Sequence, residues 1–395
     1  MTASKRTMIA ILVLGIGGIG GFFIYQHVWP ADPFLAGMAK VKKCAQLSRN
    51  APLCAQPAIR SMLDVASGTE IIHTFEKQLT PAQCHYMGHV VGQQSYIKYQ
   101  GLEKALAQCD NTCESSCIHG AVGEAFEEEL GVGTTNLDLK HLSAADIERI
   151  GTQLCKEAEP CHGVGHVLFQ AYLKFAPALE ECQKVASPEN ANFCFGGVFM
   201  EYADQLNARS LHPTSDVGYP RSFDLPSFCT SQKTIHERRA CFLYFPRVVW
   251  AVIGGERDPA VARTASMCET YDPLDRSACF AGIGAFNSYN ISTQFDSAQA
   301  GCALYPDFGD QASCNSGVIT FDVGSDNTAV FAYCHALSTE KLQAVCYQNI
   351  FYKLSQRGAS LKDVLPYCKN DERCLSEQAN YAVDPASMIV KIFPR

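Results

Sequence analysis

Two hydrophobic patterns divide the chain. From Met8 to Tyr25 the residues are apolar or small, with no charge, while beyond Gly37 apolar positions recur in short segments at helical spacing. Leu102-Glu-Lys-Ala-Leu-Ala-Gln-Cys109 and Leu361-Lys-Asp-Val-Leu-Pro-Tyr-Cys368 are examples of the second kind. The first run would rise about 27 Å as a helix, close to the hydrocarbon thickness of a bilayer. Lys5 and Arg6 precede it, and no small-x-small site follows before Trp29-Pro30, which favours an uncleaved anchor over a cleaved signal peptide. The expectation is a cytoplasmic tip and transmembrane signal-anchor over residues 1–30. Residues 31–395 would then be an exported, cysteine-rich helical repeat domain of a single-pass membrane protein, on the periplasmic or extracellular side.

The helical segments recur with a period. Cys54, Cys84, Cys117, Cys161, Cys194, Cys241, Cys279, Cys314, Cys346 and Cys374 stand about 36 residues apart, and most are followed by small or aromatic apolar residues. A unit of that length marks a repeat protein. Helix starts lie just upstream of several markers: Thr80-Pro81, Ser187-Pro188 and Asp272-Pro273 each place a capping side chain before a proline suited to a first turn. Each unit therefore reads as a helical hairpin. The fold class expected is all-α, with stacked hairpins forming either a solenoid or a closed α/α ring, preceded by one transmembrane helix. Two longer units carry loop-like inserts, Gly131-Val-Gly-Thr-Thr-Asn and Leu211-His-Pro-Thr-Ser-Asp-Val-Gly-Tyr-Pro-Arg-Ser, of the kind that decorate the binding face of a solenoid.

Cysteine content turns the hairpin into a stapled one. There are 20 cysteines, an even number spread over the whole repeat region, which fits an oxidising compartment. Companions upstream of the markers give the pairs Cys44/Cys54, Cys155/Cys161, Cys182/Cys194, Cys229/Cys241, Cys268/Cys279, Cys302/Cys314, Cys334/Cys346 and Cys368/Cys374. The remaining four, Cys84, Cys109, Cys113 and Cys117, supply two more bonds in an order that spacing leaves open. Closing loops of this size contributes about 2–4 kcal/mol each. Gly88, Gly120, Gly165, Gly197, Gly282 and Gly317 fall three or four residues after a marker, inside helices, where each costs about 1 kcal/mol of propensity. Close packing of helices explains that cost better than approach of a ligand to the backbone.

Composition excludes more than it identifies. Apolar residues make up 47% and charged residues 18%, too apolar for a disordered chain, and the net charge of -8 argues against a nucleic-acid partner. No nucleophile elbow, lysine-type phosphate loop or His-Glu-x-x-His motif assigns an enzyme class. The aromatic run Cys241-Phe-Leu-Tyr-Phe-Pro-Arg-Val-Val-Trp250 reads as core, and the acidic cluster Glu124, Glu127, Glu128 and Glu129 as a solvated helix end.

The histidines carry the candidate chemistry. Cys84-His85-Tyr-Met-Gly-His89-Val-Val-Gly-Gln93 parallels Cys161-His162-Gly-Val-Gly-His166-Val-Leu-Phe-Gln170, with His, His and Gln at i, i+4 and i+8 on one helix stripe. His119 and Glu124 come from the unit between. Stacked repeats place equivalent positions near one another, so His85, His89, His119, His162 and His166 are candidate ligands for one transition-metal ion. Gln93, Glu124 and Gln170 would orient them. Imidazole suits zinc or copper, and iron with added oxygen ligands. The main functional reading is nonetheless an envelope-anchored binding or scaffolding protein with a protein partner. The alternative is a histidine-ligated transition-metal protein with redox or hydrolytic activity.

Overall fold

The computed structural model describes residues 32–47, 51–110, 112–129, 144–156, 158–187, 190–211, 224–254, 257–288, 291–320, 323, 327–356, 361–369 and 371–383. Among the described residues the regular structure is entirely helical. In chain order the first helices are α1 (Pro33–Cys44), α2 (Ala51–Leu63), α3 (Gly68–Gln78), α4 (Pro81–Tyr99), α5 (Leu102–Leu106) and α6 (Thr112–Glu129). Next come α7 (Ala144–Leu154), α8 (Ala158–Tyr172), α9 (Phe175–Val185), α10 (Ala191–Leu211), α11 (Leu225–Phe228), α12 (Ile235–Ile253) and α13 (Arg257–Cys268). The last are α14 (Pro273–Asn287), α15 (Ile291–Ala303), α16 (Phe308–Val318), α17 (Asn327–His335), α18 (Glu340–Gln356), α19 (Leu361–Cys368) and α20 (Glu372–Val383).

The ten marker cysteines all lie on even-numbered helices, and these pack one on the next from α2 to α20. Most odd-numbered helices lie against the neighbouring even ones. Among the described residues this is the packing of a solenoid, and no comparable packing joins α2 to α20 as a closed ring would require. One apolar core runs from Ile118 to Cys374, and a smaller one ties α1 to α4 and meets it at α6. The run from Cys241 to Val249 is core, as expected: Cys241, Phe242, Tyr244, Phe245, Val248 and Val249 are all buried.

Local chemistry starts these helices where the sequence places the signals. Thr80 accepts the Gln83 backbone N–H while the Gln83 side chain accepts from the Thr80 N–H, a reciprocal cap at the head of α4. Asp272 accepts from the N–H groups of Leu274 and Asp275 at the head of α14. Ser187 accepts from Asn190, and α10 begins at Ala191.

All 20 cysteines are paired. The eight expected pairs form, each linking an odd-numbered, or outer, helix or its end to the following even-numbered, or inner, helix. The open quartet resolves as Cys84–Cys113 and Cys109–Cys117. Cys84–Cys113 differs in kind, because it joins one inner helix, α4, to the start of the next, α6. Between α12, α14 and α16 a polar ladder repeats the register: Arg238 donates to Asp275 at 2.9 Å, and Arg276 donates to both oxygens of Asp310 at 2.8 and 2.5 Å.

Glycine sets the spacing of the inner stack. A Cβ on Gly120 of α6 would overlap the carbonyl oxygen of His89 on α4, and one on Gly197 of α10 would overlap that of His162 on α8. The same contact recurs where Gly317 meets Ala281. The helical glycines are therefore there for helix–helix contact, which offsets their propensity cost.

Two expectations are corrected. Among the described residues no helix is long and apolar enough to cross a membrane. The run Met8–Tyr25, on which the transmembrane signal-anchor and the single-pass membrane location rested, lies outside the described residues, as do 131–136 and 212–222 of the two inserts. The membrane anchor and the location derived from it are withdrawn. Of the solenoid and the closed ring, both left open by the sequence, the packing among the described residues is that of the solenoid.

The glycine contacts generate a paired test. Gly120→Ala should destabilise the fold by about 1–3 kcal/mol, since backbone must move to admit the methyl. Gly123→Ala, one turn away with open space at the Cβ position, should stabilise it by roughly 0.5–1 kcal/mol. Denaturant midpoints of the two variants check this, and equal shifts would contradict the account of the spacing.

Candidate metal centre

The five repeated histidines converge. α4 presents His85 and His89, α8 presents His162 and His166, and α6, packed between them, presents His119. Gly120 brings the turn carrying His119 onto the His89 carbonyl, so the spacing device of the fold also assembles the site. The His119 ring centroid stands 5.9 Å from His85, 5.5 Å from His89, 4.8 Å from His162 and 4.7 Å from His166.

The ligand atoms fall into two groups. One nitrogen each from His85, His89 and His119 lie within 4.8 Å of one another, and so do nitrogens of His119, His162 and His166. His119 belongs to both. His85 Nε2 and His89 Nε2 are 3.1 Å apart. Two nitrogens bound to one ion at about 2.0–2.1 Å in tetrahedral geometry stand roughly 3.3 Å apart, so this pair is already close to a chelating distance. These buried histidine clusters are geometrically compatible with a metal ion. Cys155, Cys161 and Cys194 also cluster, but all three are in disulfides and have no thiolate to offer.

Hydrogen bonds orient the rings. His85 Nδ1 is 2.9 Å from the Cys113 carbonyl oxygen, which fixes its proton on Nδ1 and leaves the Nε2 lone pair facing His89. His162 bonds the carbonyl of Phe193. His166 Nδ1 lies 2.9 Å from Glu201 Oε2, while its Nε2 is buried without a partner. The His119 ring is 4% exposed, and neither of its nitrogens has a hydrogen-bond partner among the described residues. Leaving two ring nitrogens dry and unpaired costs free energy that a ligand at the site would offset.

Electrostatics disfavour charge on His89, His119 and His162. Burial pushes His89, His119 and His162 well below the ordinary histidine range, and neighbouring imidazoles add to the effect. Neutral imidazole is the form that binds metal. Burial would raise the Glu201 carboxyl, but hydrogen bonds from His166, Gln205 and Gln170 outweigh it and hold it below the usual range. The Glu201–His166 contact is the carboxylate–histidine arrangement that orients metal ligands.

The orienting residues partly follow expectation. Gln170 supports Glu201, and Gln93 hydrogen-bonds Glu124. Glu124 is 5% exposed, its Oε2 has no partner, and burial raises its carboxyl, so it is not the solvated residue expected of the acidic cluster. Glu128 is exposed, while the side chains of Glu127 and Glu129 are outside the described ones. Sequence reasoning passed over α10, which has no ligand histidine yet supplies Glu201 and also Asp204, 3.8 Å from His85 Nε2. A signal was present. Cys84, His85, His89, Gln93, Cys117, Gly120 and Glu124 each recur 77 residues later, and the last of these matches is Glu201.

Comparison with protein-family models, curated proteins and solved structures finds no match for this chain. Fold and site together define a disulfide-stapled α-helical repeat protein with buried histidine clusters fit for a metal ion. The reading as an envelope scaffold for a protein partner is overturned at this point. A scaffold asks only for an exposed complementary surface, whereas the repeated histidines cluster together and His119 and His166 have buried nitrogens without a partner.

The buried neutral rings predict a pH dependence in the metal-free protein. In the unfolded chain each histidine takes up a proton near pH ~6.5, whereas in the fold His89, His119 and His162 resist it. The unfolded state thus binds more protons as pH falls. Stability is fully present above ~6.5 and should decline below it by up to about 1.4 kcal/mol per pH unit for each ring. Denaturant unfolding between about pH 7.5 and 5 measures this, and a flat profile would contradict the burial of neutral imidazoles.

Proposed function

We propose that this protein is a transition-metal protein whose ligands are His85, His89, His119, His162 and His166. The observation that carries the reading is His119, buried at the meeting of two three-histidine groups with both nitrogens unpaired. Nitrogen donors with carboxylates behind them suit zinc, copper or iron, and the absence of free thiols removes the softer sulfur alternative. Glu201 orients His166, Gln170 steadies Glu201, and the Gln93–Glu124 pair occupies the equivalent place beside α4.

The centre suits chemistry more than structural stapling. Ten disulfides already hold the helices together, so a metal is not needed to fasten the hairpins. Three imidazoles leave a tetrahedral ion one open position, and open space exists beside Gly123, one turn from His119 on the same helix face. A redox or hydrolytic activity on a small ligand reaching that position is the function this arrangement fits best. Zinc there would acidify a bound water, while copper or iron would exchange electrons.

Elemental analysis of protein purified without a histidine tag tests the reading. Stoichiometric zinc, copper or iron is expected, and it should be lost when His89→Ala and His166→Ala are combined with the disulfide map unchanged. Glu201→Gln, which keeps the shape and removes the charge, should weaken metal affinity by about 10–100-fold while leaving the ligands in place. Failure to bind zinc, copper or iron, either as purified or on addition to the metal-free protein, would overturn the proposal.

A further inference from the structure

The geometry points to a two-metal centre in which the His119 ring bridges two ions, one held also by His85 and His89 and the other by His162 and His166. This inference rests on the metal-binding reading above and goes beyond it in number and connection of the ions. Three observations lead to it.

The first is grouping. The ligand nitrogens assemble as two sets of three that share a single residue. A centre for one ion would instead draw one nitrogen from every ring toward a common point. The second is placement. The outer members of each set are an i, i+4 pair from one inner helix, and the shared residue comes from the helix packed between those two. The bridge in the ligand set is therefore also the bridge in the fold.

The third is the count of available lone pairs. His85 has Nδ1 committed to the Cys113 carbonyl, His166 has Nδ1 committed to Glu201, and His162 bonds the Phe193 carbonyl. His89 turns its Nε2 toward His85 Nε2. His85, His162 and His166 thus each have one nitrogen committed away from the centre and face it with the other, while His89 faces it through Nε2. His119 is the exception, with Nδ1 and Nε2 both buried and both unpartnered. Four nitrogens from the flanking rings and two from His119 make three for each ion. His119 used by one ion only would leave its other N–H buried against nothing, the cost that His85, His162 and His166 avoid through a carbonyl or carboxylate.

The charge and proton balance is simple. A neutral imidazole has one lone pair and one N–H. The first ion takes the lone pair, and the second takes the electron pair released when that N–H proton leaves to solvent. No electron is transferred. The resulting imidazolate carries one negative charge; the Glu201 carboxylate stands beside His166, and Asp204, which also pairs with Arg247, stands 3.8 Å from His85. The ions are of the class that accepts imidazole, copper and zinc foremost.

Titration of the metal-free, full-length protein with copper(II) tests this, followed by chemical analysis and electron paramagnetic resonance. About two copper ions per chain are expected, with well under half of the total copper visible as free spins, because a bridging ring couples the two. Binding of the second ion should release about one proton more than binding of the first in a weakly buffered solution. His162→Ala removes a ligand from one set and leaves His119 in place, so that variant should hold about one copper with its full spin intensity. An unchanged disulfide map reports that it has folded. Saturation at one ion in the unaltered protein, two ions with full uncoupled intensity, or two coupled ions surviving in His162→Ala would each overturn the bridge while leaving the metal-binding reading intact. No copper or zinc bound at all would overturn both.

Discussion

The structure depends on how closely its inner helices can approach. Where a side chain would hold two helices 8–10 Å apart, glycine lets backbone meet backbone. Gly120 rests on the His89 carbonyl and Gly197 on that of His162. Those contacts fix the register of α4 against α6 and of α8 against α10, and that register aligns the histidines. A shift of one residue along a helix turns a side chain by about a quarter turn away from its partners, so the site exists only while the spacing holds. The disulfides act on the same arrangement from outside. Each outer-to-inner link fixes a hairpin corner, and Cys84–Cys113 ties the two helices that carry His89 and His119 to each other directly.

Packing alone would not favour five crowded imidazoles, of which His119 and His166 are buried. The rings crowd at centroid distances of 4.7–6.0 Å, so a proton on His89, His119 or His162 is opposed by neighbouring imidazoles as well as by burial. What makes the cluster coherent is the direction of its nitrogens. His85, His162 and His166 are each turned by a hydrogen bond at one nitrogen so that the other faces the cluster. His119 has no such partner on either side. That asymmetry separates this cluster from ordinary helix-bridging histidines, which satisfy themselves with carbonyls or water.

Much of this was legible in the residues. The hairpin repeat, the eight short-range disulfides and the five converging histidines follow from a recurring cysteine, a companion cysteine 6 to 12 residues upstream and a duplicated His-x-x-x-His stripe. These are local signals, carried by residues only a few turns apart. The quartet of Cys84, Cys109, Cys113 and Cys117 was not decidable, because α5 is a five-residue helix and brings three cysteines within reach of one another. Glu201 and Asp204 were missed because they sit on a helix with no histidine and act through space on rings from other helices. The run Met8–Tyr25 pulled the reading toward a membrane scaffold by composition, a signal that says nothing about where the inward faces of the repeats converge.

X-ray absorption at the metal edge of the purified or metal-loaded protein is the most direct measurement of the central claim. The account predicts a first shell of nitrogen at about 2.0–2.1 Å with the outer-shell scattering of several imidazole rings. A shell dominated by sulfur at about 2.3 Å, or one of oxygen without imidazole scattering, would contradict it.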